Sequence, residues 1–327
     1  MKAIQLNRHG DPTDGVSLVD IPDLGPPGPD EIIIDVEASP IQPTDLLMIA
    51  GTYGYQPPTP HILGVEGVGR VSAVGSNVTH VTEGDRTLIP PFTPAWSQQV
   101  KTSAPWLRPL PDGDVNQLSM LGMNPLTAYV MLTEFGHLQP GDWLLQNGAN
   151  SSVGRAVIPI AKAMGIRTIN VVRRPELIDE LLALGADVVL IDGPDLPQRV
   201  TAATENADIM LAFDCVGDTT TEELLKSLAL HGNVVVYSAM SGKPFALSGP
   251  RLLFLGQSVH GYWVFNWLND AGNCDKLTDI YAYLAPLVVS GAISSPVADT
   301  FGFDQFAEAA TAAARFHGKA ILTPDPR

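Results

Sequence analysis

The chain has 327 residues, is 45% hydrophobic and 17% charged, and carries a formal net charge of −16 at pH 7. That length exceeds what one compact core usually covers and predicts two domains, while the composition excludes a disordered chain. The negative charge opposes sequence-independent binding of nucleic acid or anionic lipid, because the field of the whole molecule repels phosphate.

The opening MKAIQLNRHG lacks the charged-then-apolar order of a secretory leader, and no uninterrupted run of about 18 apolar residues occurs anywhere, so no membrane span is expected and the cytoplasm is the expected location. The first third reads as short strands broken by turn chemistry: AIQLN, then the proline-rich PDLGPPGPDE, then EIIIDVEA and GVGRVSAVG. This predicts a β-rich, barrel-like domain over residues 1–120. From Leu121 the texture changes to helical segments alternating with nearly all-apolar strands: LTAYVML, WLLQNG, VGRAVIPIAKAMG, TINVV, PELIDELLALG, DVVLI, IMLAFDCVG, TEELLKSLALHG and NVVVYSA. Such alternation is what a parallel sheet covered by helices produces, so residues 121–274 are read as a doubly wound α/β domain. A helical LTDIYAYLAPLVVSG and a tail ending in GKAILTP come last, and the strand character of that tail returns residues 275–327 to the first domain. Cys215 and Cys274 are the two cysteines, too few for a disulfide framework or a multi-cysteine zinc site.

One turn carries chemistry. In QNGANSSVGRA, residues 146–156, an apolar strand gives way to a helix, and setting the last glycine of a G-x-G-x-x-G loop on Gly154 puts Ala149 and Ser151 at the other glycine places. The strand 143–146, the turn, the helix 153–164 and the strand 168–172 make a βαβ unit of roughly 30 residues. Small residues let the backbone N–H groups of Ala149, Asn150, Ser151, Ser152, Val153 and Gly154 approach a pyrophosphate at a helix N-terminus. A ligand-free strand-to-helix turn is the plain alternative. The next strand ends in Arg173 and Arg174 instead of the acidic residue that would hold the 2′-hydroxyl of NAD, and two cations there suit the 2′-phosphate of NADPH. Two solvated arginines before a helix would read the same in isolation.

The stretch QNGANSSVGRAVIPIAKAMGIRTINVVRR, with PGPDEIIIDVEASPIQPTD, GVEGVGRVSAVGSNV, LGMNPLTAYVML, FDCVG, HGYWVFNW and GKAIL, resembles the 2-enoyl thioester reductases. These form a zinc-free branch of the medium-chain dehydrogenase/reductase superfamily that also holds the NADPH:quinone reductases. The resemblance implies a Rossmann domain beside a discontinuous GroES-like domain, an A-x-S-x-x-G cofactor loop and NADPH as cofactor. The zinc alcohol dehydrogenases of the superfamily bind their catalytic metal at positions corresponding here to Gln42–Thr44, Val65 and Met123–Asn124, none of which carries a thiolate or an imidazole. Zinc needs at least three such ligands, so no metal is expected.

The same resemblance supplies the remaining site residues. Tyr53, in DLLMIAGTYGYQPPTP, matches the catalytic tyrosine of a G-x-Y-G-like segment, against the alternative of ordinary loop packing. Asn124 and Thr127 match a segment beside the nicotinamide ribose, or simply cap a helix. Ser238, Ala239 and Met240 follow a sheet strand where these proteins contact the dinucleotide. Lys319 matches a lysine near the cofactor phosphates, against an exposed turn cation. Tyr262, Trp263 and Val264 lie in an aromatic stretch that with Phe265, Trp267 and the outlying Phe254 either walls a substrate pocket near the nicotinamide or forms a packed junction or dimer core. The segment PRLLFLGQSVHGYW resembles the strand through which the superfamily pairs subunits, implying a homodimer formed through the Rossmann domain. Asp214 is read as structural. The reading favoured is NADPH-dependent reduction of an enoyl thioester or similar activated alkene, with quinone reduction next and a nucleotide-binding protein without catalysis third.

Overall fold

The structure is a computed structural model that describes residues 1–315 and 317–324. In chain order its strands are β1 (Lys2–Leu6), β2 (Val16–Asp20), β3 (Ile32–Pro40), β4 (His61–Ile62), β5 (Gly67–Val74), β6 (Arg86–Ile89) and β7 (Gln99–Thr102). Next come β8 (Trp143–Asn147), β9 (Arg167–Val172), β10 (Val188–Ile191), β11 (Leu211–Asp214), β12 (Asn233–Val236), β13 (Ser258–Gly261), β14 (Val297–Gly302) and β15 (Lys319–Thr323). The chain divides into two compact units, Met1–Met123 with Asp270–Arg327 and Asn124–Asn269.

The first unit holds two sheets. One runs β2-β1-β4; the other runs β14-β15-β3-β5-β6, with β7 added on β3, and a single bridge from Ala3 to Ser97 ties the two. The tail strand β15 pairs antiparallel with the end of β3, Ile321 opposite Pro40 and Leu322 opposite Ser39, which makes this unit discontinuous in sequence. Its core gathers Ile4, Leu6, Ile41, Ile49, Leu63, Trp96, Phe303 and Leu322. One short helix leads into the Tyr53 loop: Pro43–Ala50 leaves β3 through Ile41 and Gln42, begins with proline at a position where a missing N–H costs nothing, and ends at Gly51 in the left-handed conformation (φ 74°).

The second unit is one six-stranded sheet of order β10-β9-β8-β11-β12-β13, parallel throughout. Counted from β8, that order is 3-2-1-4-5-6, the doubly wound arrangement in which ligands lie beyond the carboxyl ends of the first and fourth strands. The strand WLLQN is buried at every residue and its neighbour RTINVV at all but the first, so neither alternates as a one-faced sheet would. Trp143, Leu145, Ile169, Val171, Ala212 and Val234 form its central core.

Candidate functional site

In the second unit, the turn after β8 is the one expected to hold the cofactor phosphates. Gly148 takes φ 53°, and a Cβ there would lie 2.1 Å from Cys215 Sγ, so only glycine fits. Ser151 caps the helix Ser152–Ala163, its Oγ accepting from Gly154 N at 3.1 Å. A Cβ on Gly154 would meet the Ala149 backbone at 2.7 Å, so the glycine is what lets the helix start sit against the loop. Ala149 and Val153 are buried, whereas Asn150 is exposed at the tip.

Under this loop lies a buried polar network joining the ends of β8 and β11. Asn147 Nδ2 donates to Asp214 Oδ1 at 2.6 Å, and Asn147 Oδ1 accepts from Cys215 N at 2.8 Å. Asp214 also accepts from Val216 N, Gly217 N and the Thr221 hydroxyl. One carboxylate thus fixes both the cradle strand and the facing 215–217 turn, in agreement with the structural role expected of it. Gln146 Nε2 bridges Gly154 O and Asn170 Oδ1. Tyr237 Oη stands 3.5 Å from Ser151 Oγ, and burial drives its hydroxyl well above the ordinary phenol range. Burial likewise pushes the Cys215 thiol up to about 11, so it is an inert packing group.

Arg173 and Arg174 follow β9 directly and both are exposed; Arg174 has only a loose, exposed approach to Glu176 at 3.7 Å. Ser238, Ala239 and Met240 follow β12, and Met240 N donates to Cys215 O, which brings this segment beside the 215–217 turn. Asn124 begins the helix Asn124–Glu134 and Thr127 is buried on it. Asn124 Nδ2 and Tyr262 Oη are buried and meet no hydrogen-bond partner among the described residues. Buried donors without a partner, beside a turn whose backbone N–H groups open a helix, are what a dinucleotide would satisfy, so the residues present fit NADPH. Trp263 stacks on Phe265 with centroids 4.8 Å apart, Tyr262 meets Phe135 edge-on, and Phe254 stands 79% exposed on the helix Gly249–Phe254, whose Leu252 packs against the sheet core.

The first unit holds the other site. Tyr53 follows the Pro43–Ala50 helix, with its N–H and that of Thr52 both donating to Leu47 O, at 3.2 and 2.9 Å. At the opposite end of that helix is a buried charged network. Asp45 Oδ2 accepts from Gln42 N at 2.8 Å and Oδ1 from Val65 N at 3.2 Å. The Gln42 amide is fully used: its Nε2 donates to Glu66 Oε1 and its Oε1 accepts from Lys319 Nζ. Glu66 Oε2 accepts from Met123 N at 2.9 Å. Burial pushes Asp45 up to about 7 and drives Glu66 upward and Lys319 downward, each against the attraction between the ammonium and the two carboxylates. Lys319 is thus not the exposed turn cation of the alternative reading: its ammonium donates to Gln42 Oε1 and is attracted by the Glu66 and Asp45 carboxylates of its own unit.

Gln42, Val65 and Met123, the places corresponding to metal ligands in the zinc enzymes, all converge on these carboxylates. Among the described residues no three of His, Cys, Asp and Glu group as a metal site. Sequence reasoning passed over Asp45, gave Glu66 no role and noted Gln42 only as a place without a metal ligand. The available signal was an acid inside the otherwise apolar GVEGVG.

Residues 28–136 match the alcohol dehydrogenase GroES-like domain family and residues 152–279 the zinc-binding dehydrogenase family. The mitochondrial enoyl-[acyl-carrier-protein] reductase of Homo sapiens is 36% identical over 99% of this chain and 88% of its own. Among solved structures, the Escherichia coli quinone oxidoreductase complexed with NADPH superposes with TM-score 0.85 at 26% identity, covering 99% and 100% of the two chains. The mitochondrial 2-enoyl thioester reductase Etr1p/Etr2p heterodimer of Candida tropicalis does so with TM-score 0.85 at 25% identity, covering 98% and 99%. Etr1p bound to NADP and crotonyl-CoA gives 0.86 at 25% identity over the same shares. The cytoplasmic location expected from the sequence is overturned, since the human relative and those from seven further organisms are all mitochondrial enzymes. Lack of a secretory-type leader does not separate one internal compartment from another. By its identity to the enoyl reductases across nearly its whole length, the chain belongs to the zinc-independent branch of the medium-chain dehydrogenase/reductase superfamily, the branch of enoyl thioester reductases and quinone oxidoreductases.

Proposed function

We propose that this protein is an NADPH-dependent reductase of activated carbon–carbon double bonds, acting on 2-enoyl thioesters. The single observation that carries the reading is the 36% identity to an enoyl reductase running over 99% of the chain, cradle and Tyr53 loop included. Bound NADPH supplies the hydride. The backbone N–H groups of 149–154 hold its pyrophosphate, Arg173 and Arg174 pair with its 2′-phosphate, and Asn124, Ser238–Met240 and Tyr262–Val264 complete the cofactor contacts. Lys319 is left out of that set.

Reduction at the β-carbon of an enoyl thioester places enolate charge on the carbonyl oxygen and requires a proton at the α-carbon. Tyr53 is the phenol that stabilises that charge and supplies the proton, directly or through water. The test is turnover of crotonyl-CoA and of a quinone panel with NADPH, for the wild type and Tyr53→Phe. Expected are thioester turnover in the wild type and its loss, by on the order of 10²-fold or more, in the variant with NADPH binding retained. Undiminished turnover in Tyr53→Phe would refute the assignment. Quinone reduction is the second reading, favoured by the likeness to the E. coli quinone oxidoreductase; turnover of quinones alone would install it. NADPH binding without turnover on either panel would leave a binding protein.

The protein works as a homodimer in this reading. Support comes from Leu253 and Phe254, exposed at 77% and 79% beside β13, a sheet edge that pairs only with β12 among the described residues, since apolar side chains next to an open edge are what a second copy covers. Sedimentation of the wild type against Phe254→Asp checks it: a dimer converted toward monomer is expected, and a monomeric wild type would end it.

A further inference from the structure

We infer that Lys319, Glu66, Gln42 and Asp45 act together as a positioning network for Tyr53, holding the helix from which that tyrosine hangs. The inference rests on the catalytic reading of Tyr53. Few bonds separate the network from the tyrosine. Asp45 lies in the first turn of the Pro43–Ala50 helix and ties it to the chain at Val65, through Val65 N, while also holding Gln42 N. Gln42 precedes the helix and is gripped from two sides, by Lys319 of β15 and by Glu66 just before β5. Glu66 is fixed in turn by Met123 N, and its own carbonyl accepts from the Ser39 hydroxyl at 2.6 Å. The start of the helix is thus tied to the Val65–Glu66 segment and to β15, and that segment is held in turn by Met123 and Ser39. Eight residues of helix cannot stretch, so the far end inherits that placement: Leu47 O receives the N–H groups of Thr52 and Tyr53, and Gln56 Nε2 closes the turn on Gly51 O at 2.6 Å.

The chemistry of the network favours a positioning role over a contribution to stability. Two carboxylates and one ammonium out of water are no more stabilising than an apolar filling of the same volume, but they admit one arrangement only. Lys319 and Asp45 are the charged groups that face Glu66, and the Glu66 and Asp45 carboxylates are those that face Lys319. A positioning role of this kind predicts loss of turnover through Tyr53 and through nothing else.

The experiment is a double-mutant cycle. Lys319→Met, Lys319→Arg and the charge-balanced pair Glu66→Gln with Lys319→Met are each made in the wild type and in Tyr53→Phe, and kcat and KM on crotonyl-CoA are measured with the NADPH Kd from fluorescence titration. Lys319→Met is expected to lower kcat about tenfold in the wild type and less than about twofold in Tyr53→Phe, with NADPH Kd unchanged, while Lys319→Arg restores most of the turnover. Should Lys319→Met fail to fold, the charge-balanced pair carries the same comparison, because it leaves no buried carboxylate facing a missing cation at Glu66. Equal fold-losses in both backgrounds would overturn the inference, and so would an NADPH affinity that falls in step with turnover, which would return Lys319 to the cofactor. Wild-type turnover in Tyr53→Phe would instead remove the catalytic reading of Tyr53 and this inference with it.

Discussion

The two units bury polar groups in opposite ways. Beneath the cradle of the second unit the partners are mostly neutral, Gln146, Asn147, Asn170 and the Thr221 hydroxyl, arranged around the single carboxylate of Asp214 with its four close donors. In the first unit two carboxylates and an ammonium are buried together, at the positions where zinc enzymes of the superfamily hold a metal. The cradle must present N–H groups to an anion, and a neutral, saturated understructure leaves their field undiminished. A site without its metal keeps a different requirement. Its loops still have to be held together from distant parts of the chain, and here the Gln42 amide, bonded to Lys319 on one side and Glu66 on the other, does so.

That contrast can be broken or sharpened by experiment, starting where the effect is largest. Gly154→Ala forces a Cβ against the Ala149 backbone at 2.7 Å. It should destabilise the protein by about 1–3 kcal/mol and weaken NADPH binding about tenfold or more, measured by thermal melts and fluorescence titration. Normal binding would mean that the loop is not the cradle. Next, Arg173→Ala with Arg174→Ala should cut the preference for NADPH over NADH by about 10–100-fold, since hydrogen bonds to a charged group contribute about 1.5–3 kcal/mol. An unaltered ratio of kcat/KM values for the two cofactors would sink the 2′-phosphate role.

The third test concerns the charged network alone. Burial raises the Asp45 carboxyl from 3.8 to about 7 on folding. A raised group contributes its full stability below the unfolded value and loses it as the pH rises through the folded one. The melting temperature of the wild type relative to Asp45→Asn should therefore fall steadily between pH values of about 4 and 7, and a gap that stays constant or widens would contradict the burial of a titrating acid there. Least in effect is the contrast of the two cysteines. Iodoacetamide at near-neutral pH should label the exposed Cys274 and spare Cys215, whose thiol is buried and pushed up to about 11, and two labelled sites in the folded protein would show that the loop over Cys215 opens.

How much of this was legible beforehand differs between the two sites. The cradle was, because its parts lie within one βαβ unit: the helix found is Ser152–Ala163 and the strands Trp143–Asn147 and Arg167–Val172, each within a residue or so of the expected bounds. Asn147 and Tyr237 escaped notice even there, since nothing local says that an asparagine ending one strand will meet an aspartate ending another 67 residues on. The charged network was not legible as a network. Gln42 and Lys319 are 277 residues apart, and nothing local to either says that the two will meet. The aromatic stretch is distributed over several elements: Tyr262 and Trp263 lie between β13 and the helix Val264–Leu268, which carries Phe265 and Trp267, while Phe254 lies on the helix Gly249–Phe254.

Local periodicity and residue type determined, from sequence alone, the two-domain organisation and the parallel sheet. These depend on contacts between residues close in the chain or on residue type by itself. Tertiary structure decided which strand the tail pairs with, and that Gln42 stands between Lys319 and Glu66. Those outcomes are set by β15 pairing with β3, and a strand pairing across some 280 residues is a matter of which buried groups can satisfy one another, on which neither end of the chain carries a local mark.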